Sequence, residues 1–145
     1  MELGVLMFPN PAGSGDMARL VEGLGFQSLV LADTQCLTPE VWGQLMLAAS
    51  VTERIQIGTG VTNPVSRDPA VTASSALGLQ VASKGRAVLG IGRGDSSMAK
   101  IGKRPAPPEV FDLYLQQLRA YLAGEEILRD GQPSRIEWLD NLDIT

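Results

Sequence analysis

Histidine is absent from the 145 residues. That removes imidazole acid–base chemistry, serine–histidine triads and the usual catalytic zinc sites. Cysteine occurs once, as Cys36, so no internal disulfide can form and a reducing cytoplasm is the expected compartment. With one thiol and no imidazole, a metal site would need clustered carboxylates, and the sequence shows no such cluster. Basic residues are outnumbered, 12 against 16 acidic, for a net charge of −4. A dedicated nucleic-acid binder carries the opposite imbalance. No apolar run reaches the roughly 18 residues that span a membrane. Met1-Glu2-Leu3 lacks the basic start of a secretory signal. The expected partner is a small-molecule substrate, with no nucleic acid and no membrane.

What is present is a repeated alternation. Hydrophobic residues make up 44% of the chain and charged residues 19%, a balance that supports one buried core over residues 1–145. Leu3 to Phe8 reads as a buried strand stopped by Pro9-Asn10-Pro11. Ser14 offers a helix cap, and Met17, Leu20, Val21 and Leu24 share one helical face, closed by Gly25. Ser28 to Ala32 is a second strand. Thr38-Pro39 reads as a cap with proline at the first helical position, followed by Val41, Leu45, Ala48 and Ala49. Arg54 to Gly58 is a third strand. Asp68-Pro69 opens the next helix, with Ala73, Leu77 and Val81 on its face. Ala87 to Ile91 is a fourth strand. After a proline-rich stretch, Phe111, Leu115, Leu118 and Leu122 stripe a helix ended by Gly124. Arg135 to Leu139 alternates like a short extra strand.

Four such β–α units fit two architectures, a doubly wound open sheet or half of a (β/α)8 barrel, whose units take roughly 31 residues each. The pattern does not choose between them. In both, ligands bind at the C-terminal ends of the strands. The loops 33–37, 59–68 and 92–103 therefore share one rim.

Three places on that rim carry chemistry. Gly58-Thr59-Gly60-Val61-Thr62-Asn63-Pro64 sets two glycines at the end of a buried strand, which permits a bulge or the close approach of a flat ring. Gly92-Arg93-Gly94-Asp95-Ser96 is a glycine-rich turn whose N–H groups can cradle phosphate, with Lys100, Lys103 and Arg104 downstream. It lacks the third glycine of the dinucleotide fingerprint and the ending of a Walker loop. Asp33 ends the second strand, where its carboxylate either bonds a cofactor or holds a neighbouring loop. Asp95 is an acid if buried, and otherwise a cap for the following turn. Cys36 reads as a quiet loop thiol, and Trp42 and Met46 as core.

Gly60-Val61-Thr62-Asn63-Pro64, Arg67-Asp68-Pro69-Ala70 and Leu89-Gly90-Ile91-Gly92-Arg93-Gly94-Asp95-Ser96 resemble, in the same order, the luciferase-like oxidoreductase superfamily. The nearest likeness is to its deazaflavin-dependent methylenetetrahydromethanopterin reductase group. The resemblance implies a (β/α)8 barrel, of which this chain is the N-terminal half, truncated before the fifth strand. It implies hydride transfer between coenzyme F420, or alternatively FMN, and an organic substrate. Asp33, Gly60, Val61, Asn63, Gly92, Arg93, Gly94 and Ser96 would bind the cofactor, and Asp95 would stand at the catalytic position. It also implies a cis peptide at Gly60–Val61 when the cofactor is bound. Three positions depart from the pattern. Thr34 and Asp68 stand where relatives carry histidine, and Asp95 where sugar-phosphate oxidisers carry glutamate. A non-catalytic remnant or assembly subunit of the same fold is the competing expectation.

Four strands cannot close an eight-stranded barrel. Val5, Leu29, Leu31, Ile55, Ile57, Val88 and Leu89 are expected on the open side, where exposed apolar surface favours association. A homodimer or a separate C-terminal half would cover it. The isolated chain is therefore expected not to be a monomer at micromolar concentration. Sedimentation equilibrium returning one monomer mass across a wide concentration range would refute this.

Overall fold

A computed structural model describes residues 1–142; residues 143–145 of the single expected domain lie outside the described residues. Four strands form one parallel sheet: β1 (Gly4–Met7), β2 (Ser28–Leu31), β3 (Gln56–Thr62) and β4 (Ala87–Ile91). Between them run α1 (Gly15–Gly23), α2 (Val41–Ala49) and α3 (Pro69–Ala82). A short turn of helix, α4 (Ser96–Ala99), and the longer α5 (Pro108–Leu122) follow β4. A hairpin of β5 (Ile127–Arg129) and β6 (Gln132–Ser134) and a 3-10 turn, Glu137–Asn141, complete the described chain.

The strand order is β1-β2-β3-β4, and this decides the architecture. Right-handed crossovers between sequential parallel strands put every helix on the same face. A doubly wound sheet needs its order to reverse so that helices cover both faces. The arrangement is thus that of a (β/α)8 barrel: four βα units, with helices outside and the concave face bare among the described residues.

The core lies between the sheet and the helices. Leu29, Leu31 and Ile57 are fully buried against Ala18, Val41, Leu45, Ala48 and Leu79. This corrects the expected register. Leu29, Leu31 and Ile57, together with Ile55 at the entrance to β3, point to the helix layer, as do Val5 and Leu89. The concave side instead presents Leu6, with exposed Phe8 and Val61 at the rim. Strands that are apolar on both faces carry no marker of which face is inside, and a one-residue shift exchanges the two sets.

Other departures have local causes. β3 runs past Gly58 to Thr62 because a bulge, not a loop, takes up the glycines. α2 starts at Val41 rather than Pro39, since Glu40 accepts from the Gly43 amide at 2.8 Å and acts as the cap. On α1 the buried positions are Ala18 and Val21, while Leu20 and Leu24 are exposed; small Ala18 allows the close approach. On α5 the buried face is Tyr114, Leu118 and Tyr121. The Tyr114 hydroxyl and Thr72 Oγ1 lie 2.6 Å apart, which makes burial of both polar ends affordable. The expected strand at 135–139 is the 3-10 turn. The hairpin precedes it, around Asp130-Gly131, whose φ values of 50° and 77° suit a tight two-residue turn.

Opposite the functional rim, two side chains satisfy backbone groups. Arg86 donates to the carbonyls of Ser83 and Ile55 at 2.7 Å, Thr52 at 2.9 Å and Ala49 at 3.4 Å. Its Nη1 also reaches Thr52 Oγ1 at 3.1 Å. Glu22 accepts from the amides of Arg54 at 2.8 Å, Ile55 at 2.9 Å and Glu53 at 3.1 Å. Burial pushes the Glu22 carboxyl up, but these amides and the Arg54 charge outweigh it and hold it below its ordinary value. Asp68 is also held low, first by its bonds to Arg129.

Arg86→Ala should therefore cost about 2–3 kcal/mol, because several carbonyls lose their donor at once. Arg86→Lys should recover less than half of that, since an ammonium cannot fork to the same acceptors. Urea unfolding of the two variants measures both. The two depressed carboxyls fix a second outcome. Their stabilisation is present above their ordinary values of 4.5 and 3.8 and is lost as pH falls through the lower folded values. Glu22→Gln should flatten the acid limb of a melting-temperature profile and leave its neutral slope unchanged.

Candidate functional site

The C-terminal ends of the strands enclose a cleft of about 330 Å³. Leu6, Phe8 and Val61 give it an apolar wall, and Asp33, Thr34, Thr62 and Asn63 a polar one. Gly94 to Ser97 close the far side. The expected rim loops after β2, β3 and β4 thus meet at one place.

The bulge in β3 shapes this cleft. Thr59 pairs with Leu89 and Thr62 with Ile91, so three steps on β3 oppose two on β4. The buried Thr59 hydroxyl repairs the ladder there. It donates to the Gly90 carbonyl at 2.7 Å and accepts from the Gly90 amide at 3.1 Å. A Cβ on Gly58 or Gly90 would run into the backbone carbonyl of Val88 or Thr59, whereas Gly60 and Gly92 face the ends of movable side chains. A Cβ on Gly60 would lie 2.9 Å from Leu6 Cδ1, and one on Gly92 would lie 2.9 Å from Val61 Cγ1. The spare residue turns Val61 outward over the cleft. All peptide bonds among the described residues are trans, Gly60–Val61 included. The resemblance places a cis bond there; in this structure the bond is trans, the lower-energy form for a non-proline peptide.

Asp33 is buried at 4% exposure, and its carboxylate is fully occupied. Thr62 Oγ1 donates to Oδ2 at 2.7 Å, Gln35 Nε2 to Oδ1 at 2.7 Å, and Arg67 to both oxygens at 3.2 and 3.3 Å. Arg67 also reaches Glu40 Oε1 at 2.9 Å. Burial opposes the Arg67 charge, but the bonds and field of Asp33 and Glu40 win and hold the guanidinium above its ordinary pKa. Of the two roles open to Asp33, its own bonds are those of the loop-holder: it fastens the loop after β2 to the end of β3. Arg67 and Thr62 are the partners that sequence reasoning did not single out. Arg67 stands one residue before a helix cap, and nothing local tells that it pairs 34 positions upstream.

Asn63 is 1% exposed and lines the cleft. Its Oδ1 accepts from the amides of Ser66 at 2.9 Å and Val65 at 3.1 Å, and from Ser66 Oγ at 3.0 Å. Its Nδ2 is buried and has no partner. Gly94, at φ +83°, packs on this side chain; a Cβ there would meet Met98 Cγ at 2.7 Å and Asn63 Cβ at 3.1 Å.

The rest of the glycine-rich turn is open. Asp95 and Ser96 are exposed. Asp95 occupies the cap position of α4, but its side chain makes no capping bond there. Arg93 turns toward the proline-rich loop, donating to the Ala106 carbonyl at 3.2 Å and accepting from the Ala106 amide at 2.9 Å through its own carbonyl. Lys100, Lys103 and Arg104 are exposed. None of these four cations is in an ion pair among the described residues. Cys36 is exposed on the loop after β2. No group of three potential metal ligands occurs among the described residues, and no described helix is long and apolar enough to cross a membrane.

Comparison with known proteins adds identity to this geometry. The chain is 36% identical over 116 residues to a 5,10-methylenetetrahydromethanopterin reductase of Methanolobus tindarius, an alignment covering 79% of this chain and 35% of that protein. It is 42% identical over 116 residues to the enzyme of the same name from Archaeoglobus fulgidus, with the same coverage. The chain thus spans about a third of the length of these curated relatives. Among solved structures, the coenzyme F420-dependent tetrahydromethanopterin reductase of Methanopyrus kandleri superposes with a TM-score of 0.76 at 27% identity, covering 92% of this chain and 44% of that one. An FMN complex of the oxygenating constituent of 3,6-diketocamphane monooxygenase from Pseudomonas putida shares the fold, with a TM-score of 0.74 at 20% identity over 97% of this chain and 45% of that one. The family profile described as luciferase-like monooxygenase matches residues 5–140, and the chain belongs to that family.

Proposed function

We propose that these residues form one side of a coenzyme F420 site in an oxidoreductase that moves a hydride between the deazaflavin and a small organic substrate. The observation that carries this reading is the cleft itself. An apolar wall of Leu6, Phe8 and Val61 faces a polar end where Asn63 Nδ2 has no partner. A flat ring with polar atoms on one edge fits such a donor set. Val61 and Leu6 would lie against the ring, and Asn63 would meet its edge. Backbone amides of the Gly92 to Ser96 turn, with the unpaired cations beyond it, would face the phosphate. The coenzyme would supply the redox chemistry, and the chain would bind, orient and dry it. Asp95, the carboxylate on the cleft that no side chain engages, is the candidate to hold or pass a proton near substrate.

The coenzyme F420 dependence of the Methanopyrus kandleri reductase, which this chain matches at 27% identity, favours deazaflavin. FMN is the second reading, supported by the shared fold of the Pseudomonas monooxygenase complex. Because the sheet's concave face and both edge strands lack cover within the described residues, we further propose that a second chain, either another copy or a separate C-terminal half, completes the site.

Fluorescence titration with coenzyme F420 and with FMN tests the reading, and affinity for neither would overturn it. Arg93→Ala and Lys103→Ala should weaken coenzyme binding more at low salt than at high salt, since screening already reduces the pull of exposed charges. Unchanged affinity in both variants would place the phosphate elsewhere.

A further inference from the structure

β1 and β4 end the strand order and each has one open edge. Edge strands are commonly guarded by charge or proline. Neither guard is present in Gly4-Val5-Leu6-Met7 or in Ala87-Val88-Leu89-Gly90-Ile91. Neither strand holds a fully buried residue, whereas β2 buries Leu29 and Leu31. The backbone shows which groups are free, since a strand between two neighbours alternates its bonding from one side to the other. The Gln27 and Ala32 amides donate to the Leu3 and Met7 carbonyls at 2.8 and 2.9 Å, so Gly4 and Leu6 turn their backbone groups outward. On β4 the Arg86 carbonyl and the Gly92 amide bond back to β3, each at 2.9 Å, so Leu89 and Ile91 turn outward. Ala87 shares their parity, and its amide is held at the edge by Gln80 Oε1 at 3.0 Å.

We propose that two copies of this chain close one eight-stranded barrel, β4 of each adding in parallel to β1 of the other about a two-fold axis along the barrel. The inference rests on the proposed completion of the site by a second chain and says which chain it is. Eight parallel strands close such a barrel, and this chain supplies four. It covers 44% of the Methanopyrus kandleri reductase, so two copies come to about one barrel of that kind. The pairing is closed, and no edge is left over. Both clefts then open at the same mouth.

The symmetry also fixes the register. Met7, Leu31, Thr59 and Leu89 are level across the sheet. A (β/α)8 barrel has a shear of about eight residues, so each of two identical seams takes about four. The right-handed tilt of the strands carries this shift toward the N-terminus. Leu89 therefore lies level with the partner's Leu3, and Val88 with the partner's Glu2. The free backbone groups of Leu89 and Ile91 meet those of the partner's Gly4 and Leu6. The side chains agree with that placement. Leu3 is 55% exposed and shares the parity of Val5, which packs toward the helix layer. Beside Leu89 is an apolar cavity of about 290 Å³, lined by Trp42, Leu77, Leu79 and Leu122 and by three successive residues of β4, Ala87 to Leu89. The partner's Leu3 fills it from the open edge.

Sedimentation equilibrium of the parent chain should give twice 15.4 kDa, with no growth beyond that mass as concentration rises. Leu3→Asp, at a position exposed in the single chain, should raise the dimer dissociation constant by about tenfold or more, because a carboxylate enters an apolar cavity. Glu2→Cys and Val88→Cys together, in a chain also carrying Cys36→Ser, should give a covalent dimer and nothing longer on oxidation with copper phenanthroline. Neighbouring strands are about 5 Å apart, within reach of a disulfide. Glu2→Cys or Val88→Cys alone should not cross-link. A parent that stays monomeric would overturn the inference and leave a separate C-terminal half as the partner. A dimer indifferent to Leu3→Asp, a ladder of cross-linked species, cross-links in a single variant, or none in the paired one would overturn the pairing of β4 with β1. None of these readouts needs coenzyme. A cross-linked dimer that binds neither coenzyme F420 nor FMN would overturn the proposed site and support this inference, and a monomer that binds one of them would do the reverse.

Discussion

A parallel sheet whose strands follow one another in sequence order can be covered by its own crossovers on one face only. That constraint governs the rest of the molecule. α1, α2 and α3 bury Leu29, Leu31 and Ile57 on the convex side, and the concave side is left to whatever else arrives. Near the rim that side is shaped for close approach. Gly60 and Gly92 let Leu6 and Val61 lie over the positions that side chains would take. The bulge at Gly60 and Val61 needs the Thr59 hydroxyl to replace ladder bonds with Gly90. A binding wall and a repaired strand are therefore the same few residues.

The two ends of the sheet are stabilised by different means. At the N-terminal end Arg86 and Glu22 saturate backbone carbonyls and amides of neighbouring segments. Charges committed to backbone groups have nothing left for a ligand, which suits the stability face of a barrel. At the C-terminal end side chains hold other side chains. Asp33, Arg67, Thr62 and Glu40 form one connected set that spans the loop after β2, the end of β3 and the start of α2. That clasp fixes loop positions while leaving the cleft-lining backbone to be shaped by glycine and bulge. Replacing a buried member would strand its partners, Arg67 above all, because a desolvated charge without its counter-ion is far costlier than the pair.

Much of this was readable in the residues, and what was not has a physical explanation. β4 came out at its expected bounds, since Gly85 and Gly92 bracket a run of apolar residues. The Asp68-Pro69 start of α3 was equally plain, because a capping carboxylate before proline has few other uses. The alternation of strands and helices put the loops 33–37, 59–68 and 92–103 on one rim, and the structure places Asp33, Asn63, Gly94 and Ser96 in one cleft there. Register was not legible: β2 reads Ser28-Leu29-Val30-Leu31, apolar at both parities, and only packing selects Leu29 and Leu31 for the core. The choice between open sheet and barrel was hidden from the residue pattern, because strand order is a property of long-range pairing, and was made by the family resemblance. The Asp33–Arg67 pairing was hidden for the same reason, and so was the bond from Arg93 to the Ala106 carbonyl.

The inventory of the cleft limits what the chain itself can do there. No imidazole exists anywhere in the sequence. Asp33 is shut behind four donated hydrogen bonds. Thr34, Ser96 and Ser97 offer hydroxyls. Asp95 alone presents an unengaged carboxylate, on an exposed turn where solvent competes for its proton. Such a set is weak for nucleophilic or acid–base catalysis, which needs a matched pair of groups in hydrogen-bond contact. It is well suited to holding a ring flat against apolar side chains while reading one edge. Under the proposed reading, the catalytic power of the site then lies in a bound coenzyme, and the contribution of these residues is geometric: the bulge sets the ring's plane, Asn63 sets its edge, and the Asp33–Arg67 clasp keeps those two references at a constant separation.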